Sequence, residues 1–137
     1  MQSLMAFPDD DRRAVRGVLL DIDDTLTTDG RLTAKAYAAL ADLRNAGKLV
    51  VPVTGRPAGW CDHIARMWPV DAIVGENGAF YFRYDHDERR MTRRYYADGD
   101  AIVANRAKLE AIGQKIVAAV PGASLAADQA YRETDLA

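Results

Sequence analysis

Asp21-Ile22-Asp23-Asp24-Thr25 sets two carboxylates two residues apart, directly after the apolar run Gly17-Val18-Leu19-Leu20. Thr54-Gly55-Arg56 follows a second apolar run, Leu49-Val50-Val51-Pro52-Val53. Together these residue types suit attack on a phosphate ester. The ester oxygens repel an anionic nucleophile, but a carboxylate can reach phosphorus when a divalent cation neutralises both partners. Magnesium takes hard oxygen ligands, commonly one or two carboxylates with phosphate and water. Asp21 could serve as nucleophile and metal ligand together. Asp23 could protonate the leaving oxygen and later activate water. Thr54 could hydrogen-bond a phosphoryl oxygen, and backbone N–H groups near Gly55 and in the Asp23-Asp24 turn could form an anion nest. Clustered aspartates also arise simply because Asp favours turns and caps. What favours a site over a turn is the agreement of the first apolar run, Thr25-Leu26, and the second run ending in Thr54-Gly55-Arg56.

These side chains meet only if a fold brings the ends of both runs together. Open parallel sheets do this, because they place ligands at the carboxyl ends of their strands. The first run reads as a strand buried on both faces. Thr33 can cap a helix from about Ala34, with Tyr37, Leu40, Ala41 and Leu43 on one face and Gly47 at its end. The second run is the next strand. A helix over Ala58 to Met67 follows, with Ile64 and Met67 facing inward. Asp71-Ala72-Ile73-Val74 is a third strand, and Gly75-Glu76-Asn77-Gly78 a turn that could also brace the site. The order strand, helix, strand, helix, strand predicts right-handed crossovers in a parallel sheet.

The pattern then changes. Phe80 to Tyr84 and Met91 to Tyr96 predict a hairpin joined by Asp85-His86-Asp87-Glu88. A long helix is expected from about Ala101 to Val120, with Ile102, Leu109, Ile112, Ile116 and Val120 at near-helical spacing. Pro121-Gly122 ends it, a short strand is expected at Ala123 to Ala127, and Arg132 to Ala137 reads as the entrance to another. The fold class is therefore α/β. Residues 1–15 form a flexible lead-in and residues 16–80 half of a doubly wound parallel sheet. Residues 81–137 form a hairpin, a helix and the start of an α+β unit.

The 137 residues suffice for one modest domain. A formal net charge of -2 gives no general attraction to nucleic acid or an anionic membrane. Arg89, Arg90, Arg93 and Arg94 form a basic run, but alternation in a hairpin puts such residues on a solvated face. One cysteine, Cys61, excludes an internal disulfide and fits a reducing cytoplasm. The start of the chain lacks a basic segment followed by a long apolar run, and no stretch nears the roughly 20 apolar residues of a membrane span. Cys61 and His63 are two apart, a poor spacing for one helical face, so neither metal binding there nor a thiol nucleophile is expected.

The segment Val18 to Leu26 closely resembles the first motif of the haloacid dehalogenase superfamily. Val53-Thr54-Gly55-Arg56-Pro57 resembles the second, in the subclass with a large cap inserted after the third strand, and Gly75 to Ala79 resembles the turn that follows. The resemblance implies a Rossmann-like core and a magnesium-dependent phosphatase acting on sugar phosphates or related small metabolites. It makes Asp21 the nucleophile and Asp23 the general acid and base. Thr54, Gly55 and Arg56 would bind substrate, with Asp21 and the backbone carbonyl of Asp23 as magnesium ligands. It also implies a lysine and an acidic cluster after the cap, which the residues up to Ala137 do not supply. A fragment, a truncated product or one half of an assembly is therefore expected, with the first strand exposed as an edge. The alternative is a non-catalytic chain that keeps part of the phosphate and metal site.

Overall fold

The computed structural model describes residues 3–137. Its centre is a five-stranded sheet in the order β1 (Gly17–Asp21), β4 (Leu49–Val53), β5 (Ile73–Gly75), β6 (Phe80–Asp85), β7 (Arg90–Tyr95). The first three are parallel, and the last two add on antiparallel. Two short strands, β2 (Thr27–Thr28) and β3 (Arg31–Leu32), form a separate ribbon. The helices are α1 (Asp9–Ala14), α2 (Ala34–Asn45), α3 (Ala58–Met67) and α4 (Gly99–Ala119). This is an α/β fold with a parallel centre, as the sequence implies.

Local chemistry explains the boundaries. The Thr33 hydroxyl accepts the Ala36 N–H at 3.1 Å and starts α2. Gly47, at φ +73°, supplies the left-handed residue that ends it. The Asp98 carboxylate accepts the Ala101 N–H at 2.8 Å and starts α4. Within the lead-in, three aspartates in the first turn and two arginines in the last support the short, exposed helix α1, charges placed to suit the helix dipole.

The path from β1 to β4 to β5 moves in one direction along the sheet. Right-handed crossovers that keep one direction put both helices on the same face. Val50, Ile73, Phe80 and Phe82 point to that face and pack with Leu40 of α2 and with Cys61, Ile64 and Ala65 of α3. Phe80 and Phe82 stack with centroids 4.4 Å apart. Gly75 is required here, since a Cβ would sit 2.3 Å from the Phe80 ring and 2.6 Å from the Cys61 sulfur.

The opposite face differs from expectation. The first strand is not buried on both sides: Leu19 is 74 % exposed, and Leu49 beside it is also exposed. Among the described residues no helix covers this face, and β1 has β4 as its sole neighbour, so it is an edge strand. The hairpin β6–β7 joins the same sheet through β5, so the sheet runs on past residue 80.

Two further expectations are corrected. Met67 is exposed, because the inner stripe of α3 runs through Ala58, Cys61, Ile64 and Ala65 and misses it. Residues 123–127 form no strand. Leu125 and Leu136 instead pack at Gly113 on α4, where a Cβ would stand 3.2–3.3 Å from them, and the Ala126 N–H donates to the Ala137 carbonyl. Ile112, Ile116 and Val120 remain about half exposed, because that segment meets α4 at Gly113 rather than along the whole apolar stripe.

Candidate active site

Asp21 is the last residue of β1 and stands opposite Val53, one residue before Thr54. The chain then enters the irregular turn Ile22–Leu26. Ile22 is buried and anchors it. The Thr27 hydroxyl donates to the Ile22 carbonyl at 3.0 Å and accepts the Asp24 N–H at 3.3 Å. Asp24 takes a left-handed conformation at φ +56°, which Asp tolerates better than most residues. The turn carries Asp23 across to the loop after β4.

There Arg56 grips the Asp23 carboxylate with both arms of its guanidinium. Nε donates to Oδ2 at 3.0 Å and Nη2 to Oδ1 at 2.5 Å. Bidentate pairs of this kind are stronger and more directional than single contacts. The Asp23 hydrogen bonds raise the Arg56 pKa above its ordinary value, against the opposing effect of burial. The Arg56 guanidinium also lies 4.8 Å from the centroid of the Trp60 ring. Ile22, Asp23, Thr27, Arg56, Trp60 and Trp68 line a hollow of about 110 Å³.

Thr54 is buried, and its hydroxyl accepts the Arg56 N–H at 3.1 Å. The loop after β5 clamps this loop from behind. Glu76 N–H donates to the Arg56 carbonyl and Asn77 N–H to the Thr54 carbonyl. Of the expected site residues, Asp23 and Arg56 meet directly, and Thr54 and Gly55 hold the loop that carries Arg56. Asp21 lies at the same strand end but is exposed and does not line the hollow.

Arg132 escaped the sequence reading, and Glu76 was expected only as part of a turn that could brace the site. Glu76 is only 3 % exposed, although it is charged and sits at φ +43°. Its carboxylate accepts the Ala58 N–H at the start of α3, the Glu133 N–H, and both the N–H and hydroxyl of Thr134. Arg132 reaches back to the Gly55 carbonyl at 3.0 Å and pairs with Asp135. Burial disfavours the Arg132 cation, but Asp135, with Asp128 and Glu76, outweighs it and holds the pKa above the ordinary value. These contacts tie residues 132–135 onto the loops after β4 and β5. The bracing role of the Gly75-Glu76-Asn77-Gly78 turn had a signal in sequence. The long-range partners did not: Glu133 and Thr134 lie 57 and 58 positions from Glu76, and Arg132 lies 77 from Gly55.

Cys61 cannot act as a nucleophile. It is fully buried, and burial, with the Glu76 charge, pushes its thiol up to about 12. Metal donors are sparse. Among the described residues no group of three or more His, Cys, Asp or Glu side chains converges. Magnesium commonly takes one or two carboxylates with water and phosphate, a set that needs no all-protein cage.

Comparison with known proteins bears on the family and the fold. Among curated proteins, no sequence matches. A phosphatase of the haloalkanoate (HAD) enzyme superfamily from Bacteroides thetaiotaomicron superposes with a TM-score of 0.52 at 22% identity, over 80% of this chain and 40% of its own. A hypothetical protein from Geobacillus kaustophilus gives 0.52 at 22% identity, over 74% of this chain and 36% of its own. At such identity the likeness is one of fold, and this chain spans well under half the length of either structure. The sequence pattern of haloacid dehalogenase-like hydrolases matches residues 18–119, and the chain belongs to that family.

Proposed function

We propose that this chain carries the nucleophile half of a magnesium-dependent phosphomonoesterase acting through an aspartyl-phosphate, with a small phosphorylated metabolite such as a sugar phosphate as substrate. The observation that carries this reading is the Asp23–Arg56 pair, which joins the loops after β1 and β4 two residues beyond Asp21 at the end of β1. An Asp oxygen of residue 21 attacks phosphorus, and the bond from phosphorus to the leaving oxygen breaks. Asp23 gives its proton to that oxygen, then takes one from the water that cleaves the acyl phosphate. Inorganic phosphate leaves, and Asp21 is restored. When bound, magnesium would offset the negative charge of Asp21 and of the phosphoryl oxygens.

Arg56 has a defined part in this scheme. While it grips Asp23, that carboxylate is occupied. An arriving phosphate offers the guanidinium a second anion, and as Arg56 turns to it Asp23 is freed to carry the proton. The reading also suits a reducing compartment, in which the buried Cys61 thiol stays free.

The test is magnesium-dependent release of phosphate from an aryl phosphate. Asp21→Asn should lower turnover by at least about a thousandfold with the circular dichroism unchanged. Retained turnover excludes Asp21 as nucleophile. A second reading, phosphate binding without turnover, is favoured by one observation: no lysine lines the hollow, and Lys48 is committed to the Arg13 and Val15 carbonyls beside the start of β1. Phosphate release by this chain alone would exclude it.

A further inference from the structure

Trp60 stands at a junction. One part of its indole closes the hollow that holds Asp23 and Arg56. The same side chain, with Gly59, His63 and Tyr131, lines a second and more open groove of about 360 Å³. Tyr131 arrives from the distant turn Gln129–Tyr131. Its placement depends on glycine: a Cβ at Gly59 would lie 3.1 Å from the Tyr131 Cβ and 3.3 Å from its Cδ1. His63 follows Trp60 by three residues on α3, so both lie on one side of the helix.

Core packing does not account for these rings. Trp60 is 45 % exposed and Tyr131 60 % exposed. Single exposed aromatics need no explanation. Here two converge from segments 71 positions apart (131 − 60), over a glycine that makes room, beside the one bidentate Asp–Arg pair at the strand ends. Trp and Tyr offer large flat faces to an apolar ring surface, and the imidazole adds a polar edge.

We infer that this groove seats the organic part of the phosphomonoester, and that this part is a ring. One face of the ring lies against Trp60 and Tyr131, and the phosphate crosses the indole edge toward Arg56. Trp60, Tyr131 and Gly59 are then specificity-determining residues. The inference rests on the phosphatase reading, so its test separates the two.

Methylphosphonate and phenylphosphonate carry the same anionic head and differ by the ring, and neither is hydrolysed. Their affinities for the chain in excess magnesium are measured by titration calorimetry. Phenylphosphonate should bind at least tenfold more tightly. Tyr131→Ala should remove most of that advantage and leave methylphosphonate binding unchanged. Gly59→Ala, which drives a methyl group into Tyr131, should do the same without altering an aromatic residue. Equal affinities for the two probes, or an advantage that survives both substitutions, overturns the ring subsite and leaves the phosphatase reading standing. Failure of both probes to bind overturns both.

Discussion

Glu76 is a buried carboxylate surrounded by donors and by no cation within hydrogen-bond reach. Each of its two oxygens accepts two hydrogen bonds and is fully used. Glu76→Gln would turn one of those oxygens into an NH2 facing other donors. Leaving buried donors unpaired costs about 1–3 kcal/mol, so denaturant unfolding should show a loss of that order. Amide exchange at Glu133 and Thr134 should rise in the same variant. The positions of Asp21, Asp23, Thr54, Gly55 and Arg56 at the strand ends were legible because each sits within a few residues of an apolar strand. Glu76 as a hub, and Arg132, were not, because their partners come together only when the chain closes on itself.

Between elements, Asp62 ties α3 to the hairpin. It accepts Arg66 Nε at 2.6 Å within the helix and Arg93 Nη2 at 2.8 Å from β7. The Arg66 hydrogen bond, then Arg93, hold its carboxyl below the usual range despite partial burial. A depressed carboxyl stabilises the fold above its ordinary pKa of about 4, and that contribution fades as pH falls through the folded value. Asp62→Asn should therefore cost up to about 1 kcal/mol near neutrality, since the arginines are solvent-screened. The gap from the parent should narrow in acid melts. Tyr95 behaves in the opposite sense. Burial, then its hydrogen bond to Glu133, pushes the phenol up to about 12. Its contribution is complete below the ordinary value of about 10 and is lost as pH rises toward 12. A late step in the alkaline tyrosine titration should vanish in Tyr95→Phe. Of the elements themselves, α2 could be read from its Thr33 cap and Gly47 end, and the hairpin from alternation. The strand expected at 123–127 could not survive, because Ala and Ser carry little intrinsic preference and Leu125 found Gly113 on α4 instead.

At the scale of the molecule, the winding direction sets the outcome. Both crossover helices fall on one face, so the exposed Leu19 and Leu49 and the partly buried Val51 and Val53 lie by alternation on the other. An apolar face beside an open strand edge promotes association. Sedimentation of the chain should show concentration-dependent self-association, and Leu19→Lys should weaken it with the circular dichroism unchanged. A size that stays monomeric at all concentrations would contradict this. The sequence foretold an exposed first strand from the resemblance alone, but read it as doubly buried from its apolar run, since periodicity cannot tell which layer is missing.

The register of β1 gives that edge a readable signature. The Leu49 N–H donates to the Arg16 carbonyl, so backbone groups of Arg16, Val18 and Leu20 turn toward β4, while those of Gly17, Leu19 and Asp21 turn outward. Deuterium should therefore enter this strand at two speeds, slowly at Val18 and Leu20 and quickly at Leu19 and Asp21. Any molecule that docks along the edge would slow the fast pair first. The Asp21 amide would then report a new neighbour at the very residue proposed to attack phosphorus.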